Sequence, residues 1–143
     1  MSIRQLSVFV ENQKGALAGV LHTISDAGIE LRALSIADTS DFGILRVITS
    51  DNSRAALALS ENGAVCSVTD VVAACADDKP GGLAALLTIL SEACIDVEYV
   101  YAFVAQTGKH AWGVLRVSDN AAAEKVLTDA GITLLNDADV AKI

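Results

Sequence analysis

The chain has 143 residues, a formal charge of −8 and a pI near 4.5, and its Lys and Arg residues are scattered. Without a cationic stripe it has no surface for the phosphate backbone, so nucleic acid is excluded as a partner. Apolar residues make up 52% of it, enough for a well-buried core, yet no apolar run reaches the roughly 18 residues of a membrane span.

Met1-Ser2-Ile3-Arg4-Gln5 leads straight into an alternating pattern without the apolar segment of a signal peptide, which points to a cytoplasmic protein. Ile3 to Val10 alternates, with Leu6, Val8 and Val10 on one face, and reads as a strand. The polar loop Glu11-Asn12-Gln13-Lys14-Gly15 follows. Leu17, Val20, Leu21, Ile24 and Ala27 then fall at helical spacing, and Gly28 is placed to end that helix. Ile29 to Ile36 has strand character, Asp38 to Asp41 is a turn, and Gly43 to Thr49 returns as a strand. Asp51 or Asn52 can cap a second helix, Ser53 to Asn62, closed by Gly63, and Ala64 to Val68 is a fourth strand.

The chain then repeats itself. Shifting by 66 residues carries Leu17, Val20, Leu21, Ile24 and Ala27 onto Leu83, Leu86, Leu87, Leu90 and Ala93. Gly15 falls on Gly81, Ile29 on Ile95 and Glu30 on Asp96. Farther on, Gly43-Ile44-Leu45-Arg46-Val47 matches Gly113-Val114-Leu115-Arg116-Val117, the shift growing to 70 because the hairpin around Ala105 to His110 is longer. Ser50-Asp51-Asn52 matches Ser118-Asp119-Asn120, and Gly63 matches Gly131. Agreement in strands, helix faces and caps together is the mark of an internal duplication.

Each copy reads strand-helix-strand-strand-helix-strand, so the fold class is α+β: two ferredoxin-like βαββαβ units in tandem, each an antiparallel sheet covered by helices on one face. The units are expected over 1–70 and 71–143. No Gly or Pro separates Val68 from Cys75, so the last strand of the first unit runs almost directly into the first strand of the second.

Chemistry is sparse. Cys66, Cys75 and Cys94 have no CxxC spacing and sit in apolar runs as small hydrophobes. His22 and His110 add too few ligands for a zinc site. No Ser/His/Asp or Cys/His set clusters, so no catalysis, metal or cofactor is expected. Tyr99, Tyr101 and Phe103 alternate onto one sheet face, which is either core or a dimer surface.

The two loop-to-helix junctions, N-Q-K-G-A-L (Asn12 to Leu17) and D-K-P-G-G-L (Asp78 to Leu83), duplicated in the βαββαβ frame, resemble the ACT domain family in tandem arrangement. The resemblance implies a regulatory module that binds a small ligand, most often an amino acid, between paired domains. Carried onto this chain, the loop half of such a site is Asn12, Lys14, Gly15, Ala16 and Leu17, repeated as Asp78, Lys79, Pro80, Gly81, Gly82 and Leu83. The strand-start half, in a neighbouring domain, is Ile29 and Glu30, repeated as Ile95 and Asp96. Two departures stand out: Lys14-Gly15 replaces the Pro-Gly pair kept at Pro80-Gly81, and Cys94 replaces the glycine expected after the first helix. The second loop is thus the more family-like.

Physical chemistry supports the same junctions. A helix N-terminus offers unsatisfied N–H groups and the positive end of its dipole, and small residues there let a carboxylate approach. Asn12 and Asp78 are polar neighbours suited to an ammonium group. Glycine between strand and helix is also ordinary turn geometry, so each junction alone argues only for shape. The whole pattern implies an amino-acid-binding regulatory protein, a homodimer, acting by population shift. The alternative is an accessory subunit of a catalytic partner, an amino-acid biosynthetic enzyme such as acetolactate synthase.

Overall fold

The computed structural model describes residues 2–38, 40–104 and 110–143. Most of the hairpin loop expected from Ala105 to His110 lies outside these. The order is β1 (Ile3–Glu11), α1 (Ala16–Asp26), β2 (Leu31–Asp38), β3 (Phe42–Thr49), α2 (Asn52–Glu61), β4 (Cys66–Asp77), α3 (Gly82–Glu92), β5 (Val97–Val104), β6 (His110–Val117), α4 (Asn120–Asp129), β7 (Leu134–Leu135) and α5 (Asp137–Val140). The βαββαβ plan is present twice. Among the described residues, no helix is long and apolar enough to cross a membrane.

The chain divides into two compact units, Arg4–Thr69 and Asp70–Ile143, the latter joined by the first residues up to Ile3. The boundary falls inside β4. The strand expected over Ala64 to Val68 is the beginning of this longer one, whose sequence holds neither Gly nor Pro to interrupt it.

In the Arg4–Thr69 unit β3 lies between β1 and β2, antiparallel to both, with Leu6 opposite Val47 and Val8 opposite Leu45. The Phe9 N–H donates to the Val65 carbonyl at 2.9 Å, which lays the approach to β4 along the other side of β1. Leu6, Val8, Leu45 and Val47 meet Ile24 of α1 and Ala55 and Leu59 of α2 in a buried core. Period-two strands and a 3.6-residue helix period deliver these side chains to one layer.

The Asp70–Ile143 unit repeats this, but in a frame two residues off the sequence match: Gly113, opposite Ala74 and Ala102, takes the place of Leu45 and not of Gly43. β6 lies between β4 and β5, β7 pairs with β4, and Val72, Ala74, Leu115 and Val117 pack against Leu86, Leu90, Ala123 and Leu127. Its last strand is only two residues long, because Asn136 and Asp139 form a capping box that starts α5.

The caps are also duplicated. Asp51 accepts from the Arg54 N–H at 3.1 Å and Asp119 from the Ala122 N–H at 3.0 Å. Asn52, the other residue expected as a cap, is the first helical residue, and its amide donates to the Arg4 carbonyl. Asn120 does the same to the Asp70 carbonyl at 3.0 Å.

Candidate functional site

The two strand-to-helix junctions share one hydrogen-bonding scheme. Gln13 N–H donates to the Glu11 carbonyl, Ala16 N–H to Gln13 and Gly19 N–H to Gly15; their counterparts are Lys79 to Asp77, Gly82 to Lys79 and Ala85 to Gly81. Gly15 and Gly81 are the N-caps, at φ 82° and 83°, a left-handed backbone that glycine adopts without a Cβ penalty. Neither cap offers a side-chain acceptor, so the first turns of α1 and α3 keep donors directed outward.

The flanking side chains differ. The Asn12 amide donates to the Ser40 carbonyl at 3.2 Å, tying the first loop to the β2–β3 turn. Lys14 is exposed, while Ala16 and Leu17 are half-buried. In the second loop Asp78, Lys79 and Pro80 are exposed and Leu83 is half-buried. Lys79 Nζ stands 2.8 Å from Asp77 Oδ2. The hydrogen bond from Lys79 and its charge pull the Asp77 carboxyl below its ordinary range, and Asp77 raises Lys79 in return. Gly82 answers to the chain's own packing: a Cβ there would stand 2.0 Å from the Asp77 carbonyl oxygen.

The strand starts lie at the opposite end of the helices. α1 has eleven residues, and at about 1.5 Å of rise per residue it carries the chain roughly 16 Å away from Gly15 before Ile29. Gly15 and Ile29 of one unit therefore do not share a site, nor do Gly81 and Ile95. Ile29 and Ile95 are core residues, 5% and 8% exposed, and their N–H groups donate to the Ile24 and Leu90 carbonyls. Glu30 and Asp96 keep exposed side chains, and their backbone N–H groups donate to the hydroxyls of Ser50 and Ser118. Glu30 is ion-paired with Arg32 at 3.0 Å.

Three clefts accompany these residues. One of about 280 Å³ opens beside the first loop; Asn12 and Leu17 line it with Val10, Gln13, Ile36 and Leu45, and Glu11, Asp38 and Gly43 complete it. A second of about 520 Å³ lies on the other side of β1, where Ala16 and Val20 meet Phe9, Phe42 and Val65. A third, about 300 Å³ in the other unit, holds Ile95 and Asp96 with Leu87, Ser91, Cys94 and Val97. The sequence reading did not name Val10, Glu11, Gln13, Ile36, Asp38, Gly43 or Leu45 for the site, and the strand residues among them come together only through the pairing of β1, β2 and β3. The one available signal was Gly43, a residue without a side chain inside an otherwise apolar strand.

Among the described residues, no group of three or more His, Cys, Asp or Glu side chains is placed to hold a metal ion.

A family model described as an ACT domain pair matches residues 1–143. The crystal structure of a Bacteroides thetaiotaomicron protein is 38% identical, with a TM-score of 0.93, over 100% of this chain and 98% of that one. The ligand-free regulatory subunit of aspartate kinase from Thermus thermophilus superposes at TM-score 0.65, with 14% identity over 89% of this chain and 91% of that one. A structure of aspartokinase alpha and beta subunits superposes at 0.62, with 18% identity over 90% and 91%. At these identities the last two show the fold. No curated protein sequence is significantly similar to the chain.

Proposed function

The chain belongs to the ACT domain family, as a pair of such domains, and from that premise we propose that it is a regulatory protein that binds a free amino acid. The loop half of the site is Asn12, Lys14, Gly15, Ala16 and Leu17, repeated as Asp78, Lys79, Pro80, Gly81, Gly82 and Leu83. The strand-start half is Ile29 and Glu30, repeated as Ile95 and Asp96. Because the two halves of one unit lie at opposite ends of its first helix, a complete site requires a paired unit, which we assign to a second copy of the chain in a homodimer. Ligand then favours one arrangement of the paired units over another, and the output is that population shift.

The observation that carries this reading is the pair of glycine caps, Gly15 and Gly81, with identical backbone bonds and no side chain spent on the helix donors. Such a junction accepts a carboxylate. Ile29 and Ile95 contribute through the wall they form, since their side chains and N–H groups are already engaged.

Thermal unfolding against the twenty amino acids tests the proposal. A ligand at 100 times its dissociation constant stabilises by about 2.7 kcal/mol. At least one amino acid should raise the midpoint, and a panel without any response rejects the reading.

A second reading, a regulatory subunit of an amino-acid biosynthetic enzyme, is favoured by the shared fold of the aspartate kinase regulatory subunits. It predicts a stable complex with a larger catalytic chain, measured by co-purification under native conditions. A chain recovered only with itself rejects it.

A further inference from the structure

The Phe9 N–H donates to the Val65 carbonyl at 2.9 Å, and the Cys75 N–H to the Thr133 carbonyl at 2.8 Å. Glu11 lies opposite Phe42, and Asp77 opposite His110. Phe9, Phe42 and Val65 of the first unit therefore take the places of Cys75, His110 and Thr133 in the second. On the helices, counted from the capping glycines, Ala16 and Val20 take those of Gly82 and Leu86. The second unit is closed here. Leu86 is 2% exposed, and a Cβ at Gly82 would stand 2.0 Å from the Asp77 carbonyl oxygen, so α3 lies hard against the end of β4. In the first unit Ala16 carries that Cβ and Val20 is one methylene shorter than Leu86. Both line the open cleft of about 520 Å³.

The walls of that cleft are aromatic and aliphatic. Phe9 and Phe42 stand with ring centroids 5.7 Å apart and planes tilted by 41°. Phe9, Phe42 and Val65 are 52%, 41% and 67% exposed, and large apolar side chains left open around one cavity mark a binding surface. The volume falls within the roughly 300–1,000 Å³ of small-molecule sites. The one charged group in the lining is the Glu11 carboxylate, which is exposed and has no partner among the described residues. Asn62 adds an amide whose nitrogen donates to the Ala58 carbonyl at 2.9 Å, leaving Oδ1 as an acceptor. No basic side chain lines the cleft. Phenyl faces attract cations as the carboxylate does, so the wall favours positive charge twice over and offers an anion nothing.

We propose that this cleft is a separate binding site for an organic cation with an aromatic or apolar body. The cationic group faces Glu11, and the body lies against Phe9, Phe42 and Val65 with Val20 beneath it. The site is distinct from the one assigned to an amino acid. Of the loop half Asn12, Lys14, Gly15, Ala16 and Leu17, Ala16 alone lines this cleft, while Asn12 and Leu17 line the one on the other side of β1. A zwitterion finds no basic side chain here for its carboxylate. Each chain holds one such site, because Cys75, His110, Thr133 and Leu86 replace its walls in the second unit. The proposal does not rest on the amino-acid reading and fails or stands without it.

NMR titration of the full chain tests this with phenethylamine, phenethyl alcohol and hydrocinnamate, which join the same ring to a cationic, a neutral and an anionic group. Phenethylamine should saturate one site per chain, with shifts centred on Phe9, Val20 and Val65. The alcohol and the carboxylate should bind more weakly by about fivefold or more. Glu11→Gln and Phe9→Ala should each weaken phenethylamine by about fivefold, and Glu11→Gln should also remove its advantage over the alcohol. Val20→Leu, which copies Leu86, should weaken all binding in the cleft, and Leu86→Val should leave it unchanged. Equal affinity for hydrocinnamate, full affinity in Glu11→Gln, shifts centred on Cys75 and Thr133, or no saturable shift at millimolar phenethylamine each overturns the site. Should Val20→Leu unfold, Glu11→Gln and Phe9→Ala decide, since both side chains are exposed. An amino-acid panel without any response leaves all of these outcomes as they are.

Discussion

Cys94 stands where Gly28 stands in the first unit, and it holds the same left-handed backbone, φ 57° against 71°. Both residues follow the first helix of their unit and donate their N–H to a serine carbonyl, Ser91 and Ser25. Among the described residues Cys94 is the one non-glycine at positive φ. A Cβ in that region costs about 1–2 kcal/mol, part of which glycine returns through the entropy of the unfolded chain. Cys94→Gly should therefore stabilise by about 0.5–1 kcal/mol, and Gly28→Ala should destabilise by about 1 kcal/mol. Nothing lies within 4 Å of a Cβ at Gly28, so the second effect is purely conformational. Urea unfolding measures both, and changes of equal sign would refute the account.

A second inequality separates Asn52 from Asn120. Asn52 Oδ1 accepts from the Thr49 hydroxyl at 2.8 Å and the Thr49 N–H at 3.2 Å. Asn120 Oδ1 is buried without a partner among the described residues, because Val117, opposite Val97 as Thr49 is opposite Leu31, stands in the place of Thr49. Thr49→Val should cost about 1–2 kcal/mol by leaving Asn52 half satisfied. Val117→Thr should be neutral within about 0.5 kcal/mol, since its hydroxyl gains the Asn120 oxygen as acceptor and offsets the burial of a polar group. If Val117→Thr destabilises as much as Thr49→Val, the orphaned oxygen is not reached.

The frame of two units was legible because each marker is local: alternation in β1, the apolar stripe of α1, Asp51 and Asp119 as caps, glycines at left-handed turns. Each depends on residues a few positions apart, and each occurs twice. The clefts were not legible. The cleft beside Gly43 is walled by Val10 of β1, Leu17 of α1 and Ile36 of β2, which only the fold brings together. The helix Asp137–Val140 was missed in the same way: its capping box is plain once Asn136 is known to leave a strand after two residues. Ile29 and Ile95 fall where the resemblance implies ligand contacts, but sequence alone does not reveal that their side chains are used by the core.

The Asp77–Lys79 pair gives a pH prediction of direction without magnitude, because both side chains are about two-thirds exposed and screened, at 67% and 66%. The folded-state shift of Asp77 is downward, through the hydrogen bond and charge of Lys79, with a further contribution from His110. Its stabilisation is thus present above the ordinary aspartate range and is lost as pH falls through the lowered value. Lys79 is shifted upward, so its share is present below the ordinary lysine range and is lost as pH rises through the raised value. No change is expected near neutrality. Carboxyl chemical shifts should place the Asp77 midpoint below its ordinary value, and Lys79→Ala should move it upward; an unmoved midpoint would break the assignment.

Thiol labelling should order the cysteines by their surroundings. Cys94 is exposed, and Cys75 is half-buried. Burial raises the Cys75 thiol above its ordinary pKa, and the Asp77 charge adds to it. Since the thiolate is the reactive form, iodoacetamide at mildly alkaline pH should modify Cys94 well before Cys75. Asp77→Asn should speed Cys75 modestly by removing the charge. Equal rates at both thiols would show that neither exposure nor charge governs them.

Gly82 and Ala16 are equivalent first residues of α3 and α1, and their exchange should be asymmetric. Position 82 is buried, and a Cβ there would lie 2.0 Å from the Asp77 carbonyl oxygen and 2.9 Å from its carbon. These are backbone atoms at the end of β4, where Asp77 pairs with His110, so they cannot move without disturbing the ladder. Overpacking of this kind costs about 1–3 kcal/mol, and Gly82→Ala should fall in the upper half of that range. Ala16 already carries a Cβ in the same hydrogen-bonding scheme, so Ala16→Gly loses only helix propensity, about 0.5–1 kcal/mol. Chemical denaturation of the two variants measures the difference. If Gly82→Ala is as mild as Ala16→Gly, the close approach of the second loop is not enforced by its fold, and Gly82 is left free to serve a ligand.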